Sequence, residues 1–441
     1  MSDLDPEILG GIGIAVLLAM IFLRVPVGVA LGCVSAGGIY LILGPRAATG
    51  MLSEIPYDFT AHWSLSSIPM FLLMGYFCYH AGLTEGLFRM ARMWLSWLPG
   101  GLSIASIQGA ALFSAVTGSS LACTAAMGRI AVPEMIKAGY DKGLATGTVA
   151  AAGTIGSMIP PSILLILYGI FVEEPIGALF LAAFLPGVLT GVMYSIMVCV
   201  RAIVTPGLAP STKDENYTWE QRIWALKDTW PVGLLVLGVF GGLFSGVFTP
   251  TEAGAVGAFL AFVIACLKRS MTWEAFREAV TETLRSTASI FVIAIGAQLL
   301  TRFFALSGVT DILADFISGA GYSQLQVVLL ISVALLILGM LLDPIGIMLL
   351  TIPILLPVLE SQSINLIWFG VLMAKFLEVG FITPPVGLNV FVVKGIVGDL
   401  VPTHTIFKGI AWFVVMDAIT IALLIAFPSI ILWLPTSLGL I

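Results

Sequence analysis

A proline pair in the middle of an apolar run restricts a chain severely, and this sequence has two of them. Residues 153–170 read GTIGSMIPPSILLILYGI and residues 379–396 read VGFITPPVGLNVFVVKGI. Proline lacks a backbone N–H and disfavours helix at the preceding residue, so the carbonyls one turn upstream lose their intrahelical partners. In hydrocarbon such a break survives only where protein buries it or where it lines a cavity. Gly156 and Gly380 each stand four residues before their pair, and Gly169-Ile170 and Gly395-Ile396 close the two runs alike. Matched broken segments in the two halves of a chain mark a transporter's binding site.

The runs belong in a bilayer because the whole chain does. Of its 441 residues 59% are hydrophobic and 10% charged, against about 25% charged in soluble domains. Mean hydropathy is +1.08. This is the composition of an all-α polytopic membrane protein. Cys33, Cys78, Cys123, Cys199 and Cys266 form no CxxC pair and read as small membrane-core residues. The acidic start MSDLDPE has no basic region or cleavage site, so no removable signal peptide is expected.

Apolar spans fall at about 8–23, 25–43, 63–81, 143–171, 176–200, 231–248, 252–267, 288–305, 364–394 and 409–434. Two further stretches, about 101–136 and 325–358, are too long for one crossing. Each is broken at its centre, by Thr117, Gly118, Ser119 and Ser120 in the first and by Asp343, Pro344, Ile345 and Gly346 in the second. Their halves are short for full spans, which favours re-entrant hairpins with tips inside the membrane. With that topology fifteen lysines and arginines, among them Arg24, Lys137, Arg201, Lys213 and Lys394, collect on one side and only Arg46 on the other. The positive-inside rule makes the rich side cytoplasmic and both termini periplasmic. The two broken helices then run in opposite directions, as inverted repeats do. Echoes such as AGLTEGLF at 81–88 and SGVTDILA at 307–314 support the duplication. The expected division is amino-terminal scaffold helices over 1–62, a first repeat over 63–204, a link with scaffold and interfacial helices over 205–287, and a second repeat over 288–441. Segments 84–98 and 272–286 are amphipathic and expected to lie along the interface.

Enzyme chemistry finds little support. His62, His80 and His404 lie near span ends without metal-ligand spacing, and Ser119 has no GxSxG frame. No nucleotide fingerprint or basic nucleic-acid patch occurs, so nucleic acid is not an expected partner. Ion binding is better supported, because neutral carbonyls and hydroxyls suffice to replace the hydration shell of a monovalent cation. The first tip offers Thr117, Gly118 and Ser119 to pair with Gly156, Ser157 and Pro160. The second offers Asp343 and Gly346 to pair with Gly380, Thr383 and Pro384. Half-helix ends that meet at mid-membrane form such sites. Any one of these glycines taken singly is better explained by close packing; the paired, duplicated set favours coordination of a monovalent ion such as Na+. Charges at membrane depth are expensive. Arg302 reads equally as a partner for a substrate carboxylate and as a snorkelling cation. Lys375 and Glu378, three apart on one helix, are expected to neutralise each other, and Arg129 to face Glu134 or the interface. Asp417 is as consistent with a structural hydrogen bond as with transport.

The ordered motifs TGSSLACTAAMG, GTIGSMIPPS, FTPTEAGAVGAFLA, LLDPIGIMLLTIPILLPV and GFITPPVGLNVFVVKGI resemble the large membrane subunit of tripartite ATP-independent periplasmic (TRAP) transporters, over essentially the whole chain. The resemblance implies sodium-coupled import across the bacterial inner membrane by an elevator, in which a domain holding both hairpins and both broken helices moves against a scaffold. It implies a small four-helix membrane subunit and a periplasmic solute-binding protein as partners, the former expected as a separate chain because no such segment precedes residue 1. Substrates would be organic acids, held between the tips by Ser119, Ser120, Asp343 and Gly346, with Arg302 in the segment expected to supply a substrate-contacting arginine. The alternative is a stand-alone sodium/dicarboxylate symporter or antiporter that needs no binding protein.

Overall fold

The computed structural model describes residues 5–83, 85–210 and 217–441, except for the side chains of Glu85, Phe316 and Ser318. The first four residues, Thr84 and 211–216, hence Lys213 of the charge count, lie outside the described residues. Among the described residues every regular element is a helix.

The helices pack as two bodies joined by similar connections. Pro6–Phe22, Val27–Leu43, Pro45–Thr60, Ser67–His80, Trp230–Phe244, Pro250–Leu267 and Trp273–Ser307 pack chiefly on one another. The second body holds a hairpin (Gly101–Thr117 and Ser120–Lys137), a broken helix (Lys142–Gly153 and Ile163–Val172) and the long helix Ile176–Val204. It also holds a second such set: Gln324–Gly339 with Pro344–Ser361, Leu366–Gly380 with Leu388–Val397, then Thr403–Ala426. Between the bodies run two short amphipathic arms, Glu85–Leu95 before the first hairpin and Val309–Gly319 before the second. The order helix, arm, hairpin, broken helix, helix thus occurs twice.

Local sequence explains the ends. Ser119, Ser162 and Asp343 cap the helices that follow them, and Thr249 forms a capping box with Glu252 at the start of Pro250–Leu267. By length and composition five helices among the described residues can cross a membrane, or six if the pair Trp219–Asp228 and Trp230–Phe244, bent by 52°, counts as one. That is fewer than the apolar spans read from sequence, because Pro6–Phe22, Val27–Leu43, Ser67–His80 and the halves of both broken helices are each shorter than 18 residues.

Several expectations are corrected. Segment 272–286 is not a separate interfacial helix: with 288–305 it forms the continuous 35-residue helix Trp273–Ser307, and the boundary set at 287/288 falls inside it. No glycine or proline interrupts the chain between them, so nothing stops the helix. Span 409–434 is divided by Pro428 into Thr403–Ala426 and Ser429–Ser437. Pro45–Thr60, not foreseen, starts at Pro45 after Gly44 in a positive-φ conformation. Glu134 pairs with Arg92 at 2.9 Å rather than with Arg129, which is exposed.

Candidate functional site

The first hairpin turns on two residues. Gly118 adopts left-handed φ 60° as it ends Gly101–Thr117, and a side chain there would strike the carbonyl of Pro161. Ser119 then starts the return helix, its hydroxyl accepting from the Ala122 N–H at 3.5 Å. The tip therefore lies directly on the first break, where a 3-10 turn, Thr154–Ser157, leads to Pro160 and Pro161. A Cβ on Gly156 would sit 3.0 Å from the Ser119 carbonyl oxygen. Ser120 Oγ lies 2.8 Å from Ser157 Oγ.

The second set is built alike but is more open. Asp343 caps Pro344–Ser361, accepting from the Gly346 N–H at 2.8 Å. Gly380, at the end of Leu366–Gly380, packs backbone to backbone on Gly339 of the hairpin's first arm, where a Cβ would come 2.6 Å from the Gly339 Cα. Pro384 and Pro385 are exposed, whereas Pro160 and Pro161 are buried. Both proline pairs contain a cis peptide bond.

One cavity of about 100 Å³ joins all four segments. Its polar lining is Ser119 and Ser120 from the first tip, Ser157 from the first break, Asp343 from the second tip and Glu378 from the second broken helix. Gly118, Leu121, Ile163, Leu164, Pro344, Ile345 and Phe381 complete it. Three helices begin at this cavity, at Ser120, Ile163 and Pro344, so the positive ends of three helix dipoles surround it, each capped at one N–H or more by Ser119, Ser162 or Asp343. Two carboxylates supply the opposite sign. Among the described residues no group of three or more histidine, cysteine or acidic side chains could hold a metal ion. A cation here would rely on hydroxyls, carbonyls and single carboxylates.

The expected site residues divide accordingly. Gly118, Ser119, Ser120, Ser157 and Asp343 line the cavity, and Gly156 packs directly beneath the first tip. Thr117 and Thr383 turn their hydroxyls back onto their own helices, to the carbonyls of Phe113 at 3.2 Å and Val379 at 2.6 Å. Pro160, Gly346, Gly380 and Pro384 shape the backbone around the cavity without lining it. Arg302 lies elsewhere. Leu299, Leu300, Phe303 and Phe304 form the buried stripe of Trp273–Ser307, and Arg302 is exposed on the opposite face, outside the cavity lining.

Spacing along the helix pairs Glu378 with Lys375, but the structure gives each a different direct partner. Lys375 Nζ lies 2.6 Å from Asp417 Oδ1 and 3.2 Å from Thr190 Oγ1, while the Tyr194 hydroxyl donates to Asp417 at 2.7 Å. This knot binds three helices in the core. Glu378 instead points into the cavity and accepts from Ser120 Oγ at 2.6 Å. An acidic residue two positions before Gly380 in an apolar helix was the available signal.

A larger cleft of about 640 Å³ separates the two bodies. Phe59, His62, Ser64, Pro250 and Gln298 line one wall, and Gly169, Ile170, Glu173, Glu174 and Ile176 are among those lining the other. Partial burial raises the Glu174 carboxyl above its ordinary range.

Comparison with known proteins identifies the family of the chain. Residues 14–430 match the family model described as the tripartite ATP-independent periplasmic transporter, DctM component. The chain is 32% identical over 401 residues to the C4-dicarboxylate TRAP transporter large permease protein DctM of Pseudomonas aeruginosa, covering 91% of this chain and 92% of that protein. It is 32% identical over 423 residues to the sialic acid TRAP transporter large permease protein SiaM of Vibrio cholerae, covering 95% and 96%. The isethionate TRAP transporter permease protein DctMQ of Oleidesulfovibrio alaskensis is also 32% identical, over 85% of this chain and 59% of that longer protein. The fold is similar to that of the YdaH transporter of Alcanivorax borkumensis, with a TM-score of 0.64 and 14% identity over 94% of this chain and 98% of the other. The chain belongs to the DctM component of the tripartite ATP-independent periplasmic transporters, and it is a multi-pass membrane transport protein rather than an enzyme.

Proposed function

We propose that this chain is the large permease subunit of a sodium-coupled importer of a small organic acid across the bacterial inner membrane. The observation that carries the reading is the cavity shared by both hairpin tips and both broken helices. Its three helix N-termini favour an anionic group such as a carboxylate. The nearby carboxylates of Asp343 and Glu378 favour accompanying cations, which would offset the repulsion between these groups and an anion. Anion and sodium would thus enter together, each making the site better for the other. The large-permease relatives act on C4-dicarboxylates and on sialic acid according to their names, which supports an organic acid without selecting one.

The two bodies and the cleft between them support an elevator, in which the body with the hairpins slides against the other while the arms Glu85–Leu95 and Val309–Gly319 flex. Inverted repeats would give the two end states equivalent geometry. The partners would be a small four-helix membrane subunit and a periplasmic solute-binding protein that delivers the substrate. Reconstitution into proteoliposomes tests the whole reading. Uptake should require an inward sodium gradient, the small subunit and the matching binding protein. Uptake that persists without the binding protein would favour the stand-alone symporter; uptake indifferent to sodium would overturn the coupling.

A further inference from the structure

We propose that Glu378 is a charged ligand of the cation held at the first break, supplied by the second broken helix, so that filling the site clamps the first hairpin tip to the other half of the protein. The inference rests on the sodium-coupled reading above and extends it to a residue outside the two expected ion regions.

The argument starts from burial. Glu378 is 1% exposed and accepts from the hydroxyls of Ser120, at 2.6 Å, and Ser157, which lie 2.8 Å from each other. Neither hydroxyl carries charge. Lys375, one turn away on the same helix, is held by Asp417 and Thr190. Asp343 lines the same cavity and adds a second negative group, and no basic side chain lines it. Among the described residues Lys375 is the one cation whose charge reaches Glu378, and Asp417, which pairs with it directly, acts on Glu378 with the opposite sign. A buried carboxylate in such surroundings is stabilised by coordinating a cation.

The backbone offers the remaining oxygens at the same place. The residues four positions after Gly156 and Ser157 are Pro160 and Pro161, and among the described residues no N–H reaches those two carbonyls. The second break differs. There the Thr383 N–H takes the Gly380 carbonyl at 3.0 Å and the Asn389 N–H takes the Phe381 carbonyl at 3.3 Å. Glu378 therefore reaches from a break where these two carbonyls are satisfied to one where their counterparts, those of Gly156 and Ser157, are open. Its carboxylate, two serine hydroxyls and the open carbonyls form an oxygen set suited to a monovalent cation. The set draws on three separate segments, the first tip, the first break and Leu366–Gly380, so the cation would hold all three together.

Sodium binding to the purified protein tests this without any substrate. Thermal unfolding in detergent is followed against NaCl, with choline chloride keeping the ionic strength constant. The wild type should be stabilised saturably by sodium. Glu378→Gln, which keeps size and hydrogen bonding but removes the charge, should need at least tenfold more sodium for the same effect, and Ser157→Ala should move in the same direction. An unchanged sodium midpoint in Glu378→Gln overturns the inference and leaves sodium coupling standing. No sodium effect on the wild type overturns both. Should Glu378→Gln not fold, Glu378→Asp and Ser157→Ala decide it, and unchanged midpoints in both overturn the inference.

Discussion

Lys375 stands 1% exposed in the middle of a helical body, and the ion pair with Asp417 is what makes that burial tolerable. Removing one member leaves the other charged and dry, which destabilises by about 3–5 kcal/mol, whereas removing both together is close to neutral. Lys375→Met and Asp417→Asn should each lower the thermal unfolding midpoint markedly, and the double variant should recover most of the loss. A double variant no better than the worse single would dismiss the pair as a stabilising unit. The same residues show how far side chains were legible in the sequence. The cost of a charge at membrane depth identified Lys375, Glu378 and Asp417 as special. Spacing along one helix could not identify their partners, because Thr190, Tyr194 and Ser120 come from other elements. For Arg302 the deciding fact was which face carries Phe303 and Phe304, and in an apolar span all faces look alike.

At the scale of elements the two breaks are the legible part. Proline pairs and flanking glycines locate both because their effect is local, a missing N–H at a known position. What the sequence could not convey is that the carbonyls of Gly380 and Phe381 at the second break are satisfied while those of Gly156 and Ser157 at the first are not. Replacing Pro160 and Pro161 together by alanine should restore N–H donors to Gly156 and Ser157 and let the helix run on. The expected result is a protein that still folds but has lost both uptake and its thermal response to sodium; retained uptake would mean that the open carbonyls are dispensable. At the second set the close approach of Gly339 and Gly380 is the sensitive contact. Gly380→Ala should cost about 1–3 kcal/mol through overpacking. It should also push the hairpin arm Gln324–Gly339 outward, and a lower unfolding midpoint together with slower uptake would show this.

For the whole molecule the prediction concerns motion between the bodies. Ser64 and Gly177 line opposite walls of the cleft. In an otherwise cysteine-free background, Ser64→Cys with Gly177→Cys should be bridged by a bifunctional maleimide, and bridging should stop uptake until a cleavable linker is cut. Uptake that continues through the bridge would exclude sliding of the two bodies. The unbroken helix Trp273–Ser307 bears on any such motion. At 1.5 Å per residue it is about 52 Å long, against a hydrocarbon core of about 30 Å, and no proline interrupts it. Near one end Glu278 and Glu282 both lie 3.1 Å from His80, just before the first arm. Farther along, the same helix packs against Pro344–Ser361 of the second hairpin. It is thus a lever: a tilt of about 10° around its middle would swing each end by about 4.5 Å, so a disturbance at His80 is felt at the second hairpin with no side chain in between having to change rotamer.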